Sequence, residues 1–87
     1  MSRRSRLEIQ FEILDVIERG VTKPTQIMYK TNLSWNVLQD TLSTLIKSGF
    51  LKEEPKGKSK RLQVTKKGRN ALSYHTKSLD GLIISNK

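Results

Sequence analysis

Seven basic side chains lie between residues 55 and 69, in the stretch PKGKSKRLQVTKKGR, which contains no acidic residue. Ammonium and guanidinium groups at this density attract phosphates and other anions, although a basic run on a soluble protein is often only a solvated surface. The whole chain has 17 Lys and Arg against 8 Asp and Glu, which gives a formal net charge of +9 and a pI of about 10.2. The composition therefore favours a polyanionic partner.

The side chains used in covalent or metal chemistry are scarce. The chain contains no Cys, which excludes disulfides, thiolate nucleophiles and the commonest zinc and iron–sulfur ligands. His75 is the only histidine and has no second ligand near it in sequence, and there is no glycine-rich phosphate loop. We therefore expect no enzymatic activity, no metal site and no cofactor.

Length and hydropathy limit the architecture. The 87 residues are enough for one domain, and a hydrophobic content of 34% is low for a core that must be stable alone, so a partner chain is expected to help. The longest apolar run, residues 82–84, is far shorter than the roughly 20 residues of a membrane span, and the basic start MSRRSR precedes an amphipathic segment rather than a signal core. We expect a soluble, cytoplasmic protein.

The first helix is predicted over residues 5–19. Ser5 and Glu8 form a capping-box pattern, and apolar side chains follow at helical spacing up to Gly20. The polar strip of this helix is predicted to contain Glu8, Glu12, Asp15 and Arg19.

The second helix is short. A brief strand is expected at Val21, and Thr22 is predicted to cap a helix that has Pro24 in its first turn and ends near residues 31–32. Its inward side chains are predicted to be Ile27 and Met28, and Tyr29, like Tyr74 further on, is expected to be half-buried.

The third helix is predicted over residues 34–48, capped by Ser34 and ended by Gly49. Trp35 is expected at the edge of the core. The helical wheel predicts an inner face of Leu38, Leu42, Leu45 and Ile46 and an outer face of Asn36, Asp40, Ser43, Thr44 and Lys47.

A basic hairpin and a last helix are predicted in the second half. Residues 50–54 and 60–65 suit two strands joined by the turn PKGKS. Thr65 is predicted to cap the last helix, which Gly81 is expected to interrupt. One seam of that helix contains Leu72, His75, Thr76, Leu79, Leu82 and Ile83.

This order of elements is that of a winged helix-turn-helix domain, an α+β and mostly helical fold of three helices and a β-hairpin wing, here with an additional C-terminal helix. The pattern TxIMYxxNLS over residues 25–34 and the pattern VTxKG over residues 64–68 resemble an archaeal winged-helix DNA-binding family. That family includes small chromatin-associated and regulator-like proteins, and the resemblance covers residues 7–80. It implies a homodimer joined through its C-terminal helices, which binds duplex DNA through the third helix and the wing.

The candidate DNA contacts follow from residue types and positions. Asn36 and Gln39 suit adenine edges, and the methyl groups of Val37 suit thymine. Asp40 fits either cytosine readout or the restraint of a neighbouring cation, and it would repel phosphate. The full set of predicted DNA-binding residues is Lys30, Ser34, Asn36, Gln39, Ser43, Lys56, Lys58, Lys60 and Arg61.

Both ends of the chain have an expected role. Arg3, Arg4 and Arg6 form either a basic arm that follows a groove or a disordered, solubilising terminus. We expect residues 1–65 to be the winged-helix domain and residues 66–87 to be a dimerisation helix that uses the seam defined above.

Three functions stay open at this point. The leading hypothesis is a dimeric transcription regulator that binds double-stranded DNA and is therefore cytoplasmic and nucleoid-associated. An architectural chromatin protein with little sequence preference is the nearest alternative. A winged-helix module for protein–protein interaction is the alternative of a different class, because fold does not fix function.

Overall fold

Four helices and one β-hairpin form the described part of the chain. The structure, a computed structural model, describes residues 5–85, without the side chains of Lys56 and of residues 76–85. The elements are α1 (Arg6–Glu18), α2 (Pro24–Thr31), α3 (Trp35–Lys47), β1 (Leu51–Lys56), β2 (Ser59–Val64) and α4 (Lys66–Ser85). The predicted order of three helices, a hairpin and a C-terminal helix is confirmed.

The ends of α1 and α3 follow from local sequence. The N–H of Glu8 donates to the Oγ of Ser5 at 3.1 Å, and the N–H of Ser5 donates to the Oε1 of Glu8 at 3.5 Å, so the capping box is formed. The Oγ of Ser34 accepts a backbone N–H from the first turn of α3 at 3.3 Å. Gly20 and Gly49 follow the two helices with φ of 109° and 83°, which glycine adopts without a steric penalty.

The predicted start of α2 is wrong. Lys23, not Thr22, is the capping residue, and it makes no side-chain capping bond. Pro24 is the first helical residue, and a proline there holds the residue before it in an extended conformation, so the helix cannot begin earlier. Val21 forms no strand in the described part of the chain. The Thr22 carbonyl instead accepts the N–H of Leu62 at 3.2 Å, which fixes this segment against β2.

The hairpin turn is shorter than predicted. β1 and β2 pair antiparallel from Leu51↔Val64 to Lys56↔Ser59, so only Gly57 and Lys58 lie between the strands. Gly57 has φ of 65° at the first turn position, as a type II′ hairpin turn requires. The glycine lets the chain reverse within two residues, and the flanking residues of the predicted turn therefore join the strands.

The core lies between the inward sides of α1, α2, α3 and the hairpin. Ten buried apolar side chains form it, none of which is more than 5% exposed, and helical spacing predicted four of them, Ile27, Leu38, Leu42 and Leu45, to face inward. The ten are Ile13, Leu14, Ile17, Ile27, Leu38, Leu42, Leu45, Leu51, Leu62 and Val64. One core anchors both α3 and the hairpin, so their relative position is set by packing.

The start of α4 is fixed against the end of α3. The Oγ1 of Thr65 accepts the N–H of Gly68 at 3.1 Å, which is the predicted cap, and the same hydroxyl donates to the Gly49 carbonyl. A Cβ at Gly68 would collide with the Phe50 carbonyl oxygen and lie 2.8 Å from the Cγ1 of Val64. Only glycine allows this close approach of α4.

The predicted interruption of the last helix at Gly81 is also wrong. α4 continues through this residue and has 20 residues in all. A glycine inside a helix costs only about 1 kcal/mol relative to alanine, which one position in a long helix can tolerate.

Candidate nucleic-acid interface

The outer side of α3 is polar along its whole length. Its exposed side chains recur at helical spacing, whereas Leu38, Leu42 and Leu45 on the opposite side are buried. The line furthest from the core contains Asn36, Asp40, Ser43 and Lys47. These side chains offer hydrogen-bond donors, acceptors and both signs of charge on one ridge.

A groove separates α3 from the hairpin. Gln39, Ser43 and Lys47 line it from α3, and Glu53 and Lys60 line it from the hairpin. Its other lining residues are Pro24, Leu42, Ile46 and Leu62. The structure therefore brings three predicted contact residues, one of them from the hairpin, to the same groove.

A second groove runs between α1 and the first half of α3. Arg6 and Gln10 line it from α1, and Asn36, Val37 and Asp40 line it from α3. Thr41, Thr44 and Ile9 complete the lining. The outer ridge of α3 thus stands between two grooves, with Gln39 on the hairpin side and Val37 on the α1 side.

The tip of the hairpin is cationic. Lys58 lies in the turn and Lys60 in the first paired positions of β2, and both side chains are exposed. The side chain of Lys56, the third predicted contact of the tip, lies outside the described residues. Neither Lys58 nor Lys60 forms an ion pair with a described carboxylate, so both charges face solvent.

Arg61 does not share the groove with Lys60. Successive side chains of a strand alternate between faces, and Arg61 lies on the face away from the buried Leu62, opposite Glu54 in the register. Its side chain is partly buried, and the Nε is buried without a hydrogen-bond partner among the described atoms. The predicted contacts of the hairpin therefore divide between its two faces.

The two predicted contacts that flank the turn between α2 and α3 differ in availability. Lys30 lies exposed in the last turn of α2, where its charge is also favourable for the helix dipole. The Ser34 hydroxyl already accepts the N–H of Val37, so it retains its own O–H as a donor.

Two cations of the basic stretch serve the fold, which the sequence analysis did not detect. The Nζ of Lys67 donates to the Ser48 carbonyl at 2.8 Å and lies 4.8 Å from the centre of the Phe50 ring. The Nε of Arg69 lies 3.0 Å from the Oε2 of Glu18. The end of α3 exposes carbonyls that a lysine can satisfy, but no local signal points to Lys67, which is 19 residues away from Ser48.

The expectation that the tyrosines are half-buried is wrong. Tyr29 is 81% exposed and Tyr74 is 77% exposed. Tyr29 lies on the side of α2 away from the buried Ile27, which leaves no element to cover its ring. Trp35, the first residue of α3, is 47% exposed.

The first residues of the predicted α4 seam pack against their own chain. The rings of His75 and Phe11 are stacked with centroids 4.0 Å apart and an interplanar angle of 7°, and Leu72 packs beside the core. These two seam residues therefore contact their own chain rather than standing free. The side chains of the remaining seam residues lie outside the described residues; they are Thr76, Leu79, Leu82 and Ile83.

The described residues offer no group of three His, Asp or Glu side chains that could hold a metal ion. None of the helices in the described range 5–85 has both the length and the hydropathy to cross a bilayer.

Comparison with known proteins identifies the class. Residues 3–80 match the winged helix-turn-helix family, and the chain belongs to this family. The resemblance inferred from the sequence patterns is thereby confirmed. Among individual proteins, the chain is similar to uncharacterized protein MJ0287 of Methanocaldococcus jannaschii, with 38% identity over 71 residues that cover 82% of this chain and 69% of that protein.

Solved structures share the fold. Sso10a-2, a DNA-binding protein from Sulfolobus solfataricus, superposes with a TM-score of 0.70 and 26% identity, covering 95% of this chain and 90% of its own. FabT from Streptococcus pneumoniae, solved in complex with DNA, superposes with a TM-score of 0.74 and 21% identity over 87% of this chain. The chain spans only 56% of the length of FabT.

Proposed function

We propose that this protein is a transcription regulator that binds duplex DNA, with the outer ridge of α3 in the major groove and the hairpin along the adjoining phosphates. The observation that carries the proposal is the common groove lined by Gln39, Ser43 and Lys47 of α3 and by Lys60 of the hairpin. A helix with its side chains is about 10–12 Å across, and the major groove is about 12 Å wide. When α3 lies in the major groove, the neighbouring hairpin lies against the DNA phosphate backbone.

The distribution of charge supports this orientation. Lys30, Lys47, Lys58 and Lys60 are exposed on or beside the two elements in question, and none pairs with a described carboxylate. The polar strip of α1 instead carries Glu8, Glu12 and Asp15, and Asp15 is paired with Arg19. The unpaired lysines therefore favour DNA on the side of α3 and the hairpin.

The chemistry of each candidate side chain determines which part of DNA it would contact. Asn36 and Gln39 would pair with adenine edges, and Val37, which is 41% exposed, would contact a thymine methyl group. Phosphate contacts would come from Lys30, Ser34, Ser43, Lys47, Lys56, Lys58, Lys60 and Arg61. Arg6, at the mouth of the second groove, would continue the phosphate track toward the N-terminal arm.

The protein would act as a homodimer joined through residues 66–87, and DNA binding would associate it with the nucleoid. α4 continues to Ser85, past the stack of His75 on Phe11, and its last turns carry Leu79, Leu82 and Ile83 in sequence. Apolar side chains on such an extension favour a second copy as the covering partner. Sedimentation equilibrium is expected to give twice the chain mass of 10.0 kDa, and a single-chain mass at micromolar concentration would reject the dimer.

Salt-dependent titration tests DNA binding itself. Replacement of Lys56, Lys58 and Lys60 with Ala is expected to weaken binding to all duplexes alike and to flatten the log–log salt slope by up to about three units, because each lost phosphate contact removes released counterions. Fluorescence anisotropy at several salt concentrations measures both quantities.

The matched control replaces Lys23, Lys52 and Lys66, three exposed lysines that do not line the groove. If both variants change the slope equally, the hairpin is not the phosphate contact. Equal affinity for every duplex would indicate an architectural protein. An absence of binding even at low salt would leave the protein-interaction module.

A further inference from the structure

Asp40 occupies the centre of the surface proposed to enter the major groove. It lies on the same exposed ridge as Asn36, one turn earlier, and as Lys47, two turns later. Asn36 and Asp40 line the groove on the α1 side of this ridge, and Gln39 lines the groove on the hairpin side. The N-terminal residues of a recognition helix contact the base edges in the major groove, and all three side chains lie in the first half of α3.

The Asp40 carboxylate has no ion-pair partner among the described residues. Arg6 lines the same groove, yet no described cation lies within ion-pair distance of this carboxylate. Two other acids do have such a cation, since Asp15 pairs with Arg19 at 3.1 Å and Glu18 pairs with Arg69 at 3.0 Å. No described cation is therefore restrained by Asp40, and readout of a base is the other of its two expected roles.

The chemistry of base edges limits what an unpaired carboxylate can accept. An ionised carboxylate has only acceptor atoms, and the major-groove donors are the N4 amino group of cytosine and the N6 amino group of adenine. Adenine places its N7 acceptor beside its donor, and guanine presents two acceptors, so both repel a carboxylate more than cytosine does. We infer that Asp40 is a specificity-determining residue that selects cytosine, an inference that rests on the proposed DNA binding.

The spacing on α3 extends this inference to a short pattern. Asn36 and Asp40 are separated by one helical turn, or about 6 Å along the axis. Base pairs follow one another about every 3.4 Å. Because the major groove runs obliquely to the duplex axis, the adenine read by Asn36 and the cytosine read by Asp40 lie within about two base pairs of each other.

Selection of duplexes from a randomised pool tests the assignment. The wild-type protein is expected to enrich cytosine at one position, and Asp40→Asn to lose that preference, because an amide pairs best with adenine. The expected loss of preference is roughly ten-fold to a hundred-fold in affinity ratio. The variant is also expected to bind random duplex more tightly, because one repulsive charge is gone.

Asp15→Asn is the matched control, since it removes the same charge on the outer side of α1 and should leave base preference unchanged. Circular dichroism verifies that both variants are folded. Identical base preferences for the wild type and Asp40→Asn would overturn the assignment, as would wild-type binding without any selected sequence, and in both cases DNA binding itself stands. If the wild type binds no duplex, the proposed function fails, and the assignment fails with it.

Discussion

The two halves of the basic stretch, residues 55–69, have different surroundings. In the hairpin half, Lys58 and Lys60 are exposed and have no ion pair with a described residue. In the helical half, Lys67 contacts the end of α3, and Arg69 pairs with Glu18 of α1. One continuous run of charge thus contains side chains available to a ligand and side chains that join elements of the fold.

Charge density alone does not show which cations can bind a ligand and which stabilise the fold. A lysine whose ammonium group bonds a carbonyl of its own chain contributes to stability and little to ligand binding. A lysine in the turn of a hairpin holds no element in place, so its replacement should change binding and leave stability unchanged. Variants in the two halves should therefore separate binding from folding.

Gly68→Ala is the strongest test of the helical half. The added Cβ would collide with the backbone carbonyl of Phe50, which cannot rotate away as a side chain would. Such overpacking typically costs about 1–3 kcal/mol and sometimes more, and the better helix propensity of alanine offsets about 1 kcal/mol of it. Because the collision is with backbone, the upper end of this range applies, and we expect a net loss of about 2 kcal/mol in the free energy of unfolding, measured by urea denaturation.

The control for this variant is Ser73→Ala, at an exposed position of the same helix. It should change the unfolding free energy by less than about 0.5 kcal/mol. If Gly68→Ala is as stable as this control, α4 does not rest against Phe50, and the contrast between the two halves of the basic stretch is lost.

Local interactions explain why much of the fold was predictable. The capping box at Ser5 and the cap at Ser34 involve residues within one turn, and Gly49 ends α3 through its own backbone freedom. Two of the errors at element ends were local too. Pro24 set the start of α2, and Gly57 shortened the hairpin turn, so closer attention to these residues would have placed both boundaries.

The interface was predictable only in part, because its geometry depends on tertiary packing. Helical spacing identified Gln39 and Ser43 as outer residues, yet nothing local places them beside Lys60. The position of Arg61 on the other face follows from strand alternation, which the sequence contained. The bond from Lys67 to Ser48 spans 19 residues, and this separation explains why it was missed.

Lys67→Met is expected to lower stability less than Gly68→Ala does. It is the more direct test of the difference between the two halves of the basic stretch. Methionine keeps the apolar stem but removes the hydrogen bond to Ser48, the charge near the end of α3 and the cation–π contact with Phe50. For an exposed group these together contribute about 1 kcal/mol.

Lys66→Met removes the same charge from the adjacent exposed position and provides the control. If Lys67 belongs to the fold, its variant should lower the unfolding free energy while both variants keep the same DNA salt slope. If the DNA salt slope is flattened for Lys67→Met alone, this lysine is a phosphate contact. The boundary between the DNA-binding and the fold-stabilising cations of the basic stretch would then lie after residue 67.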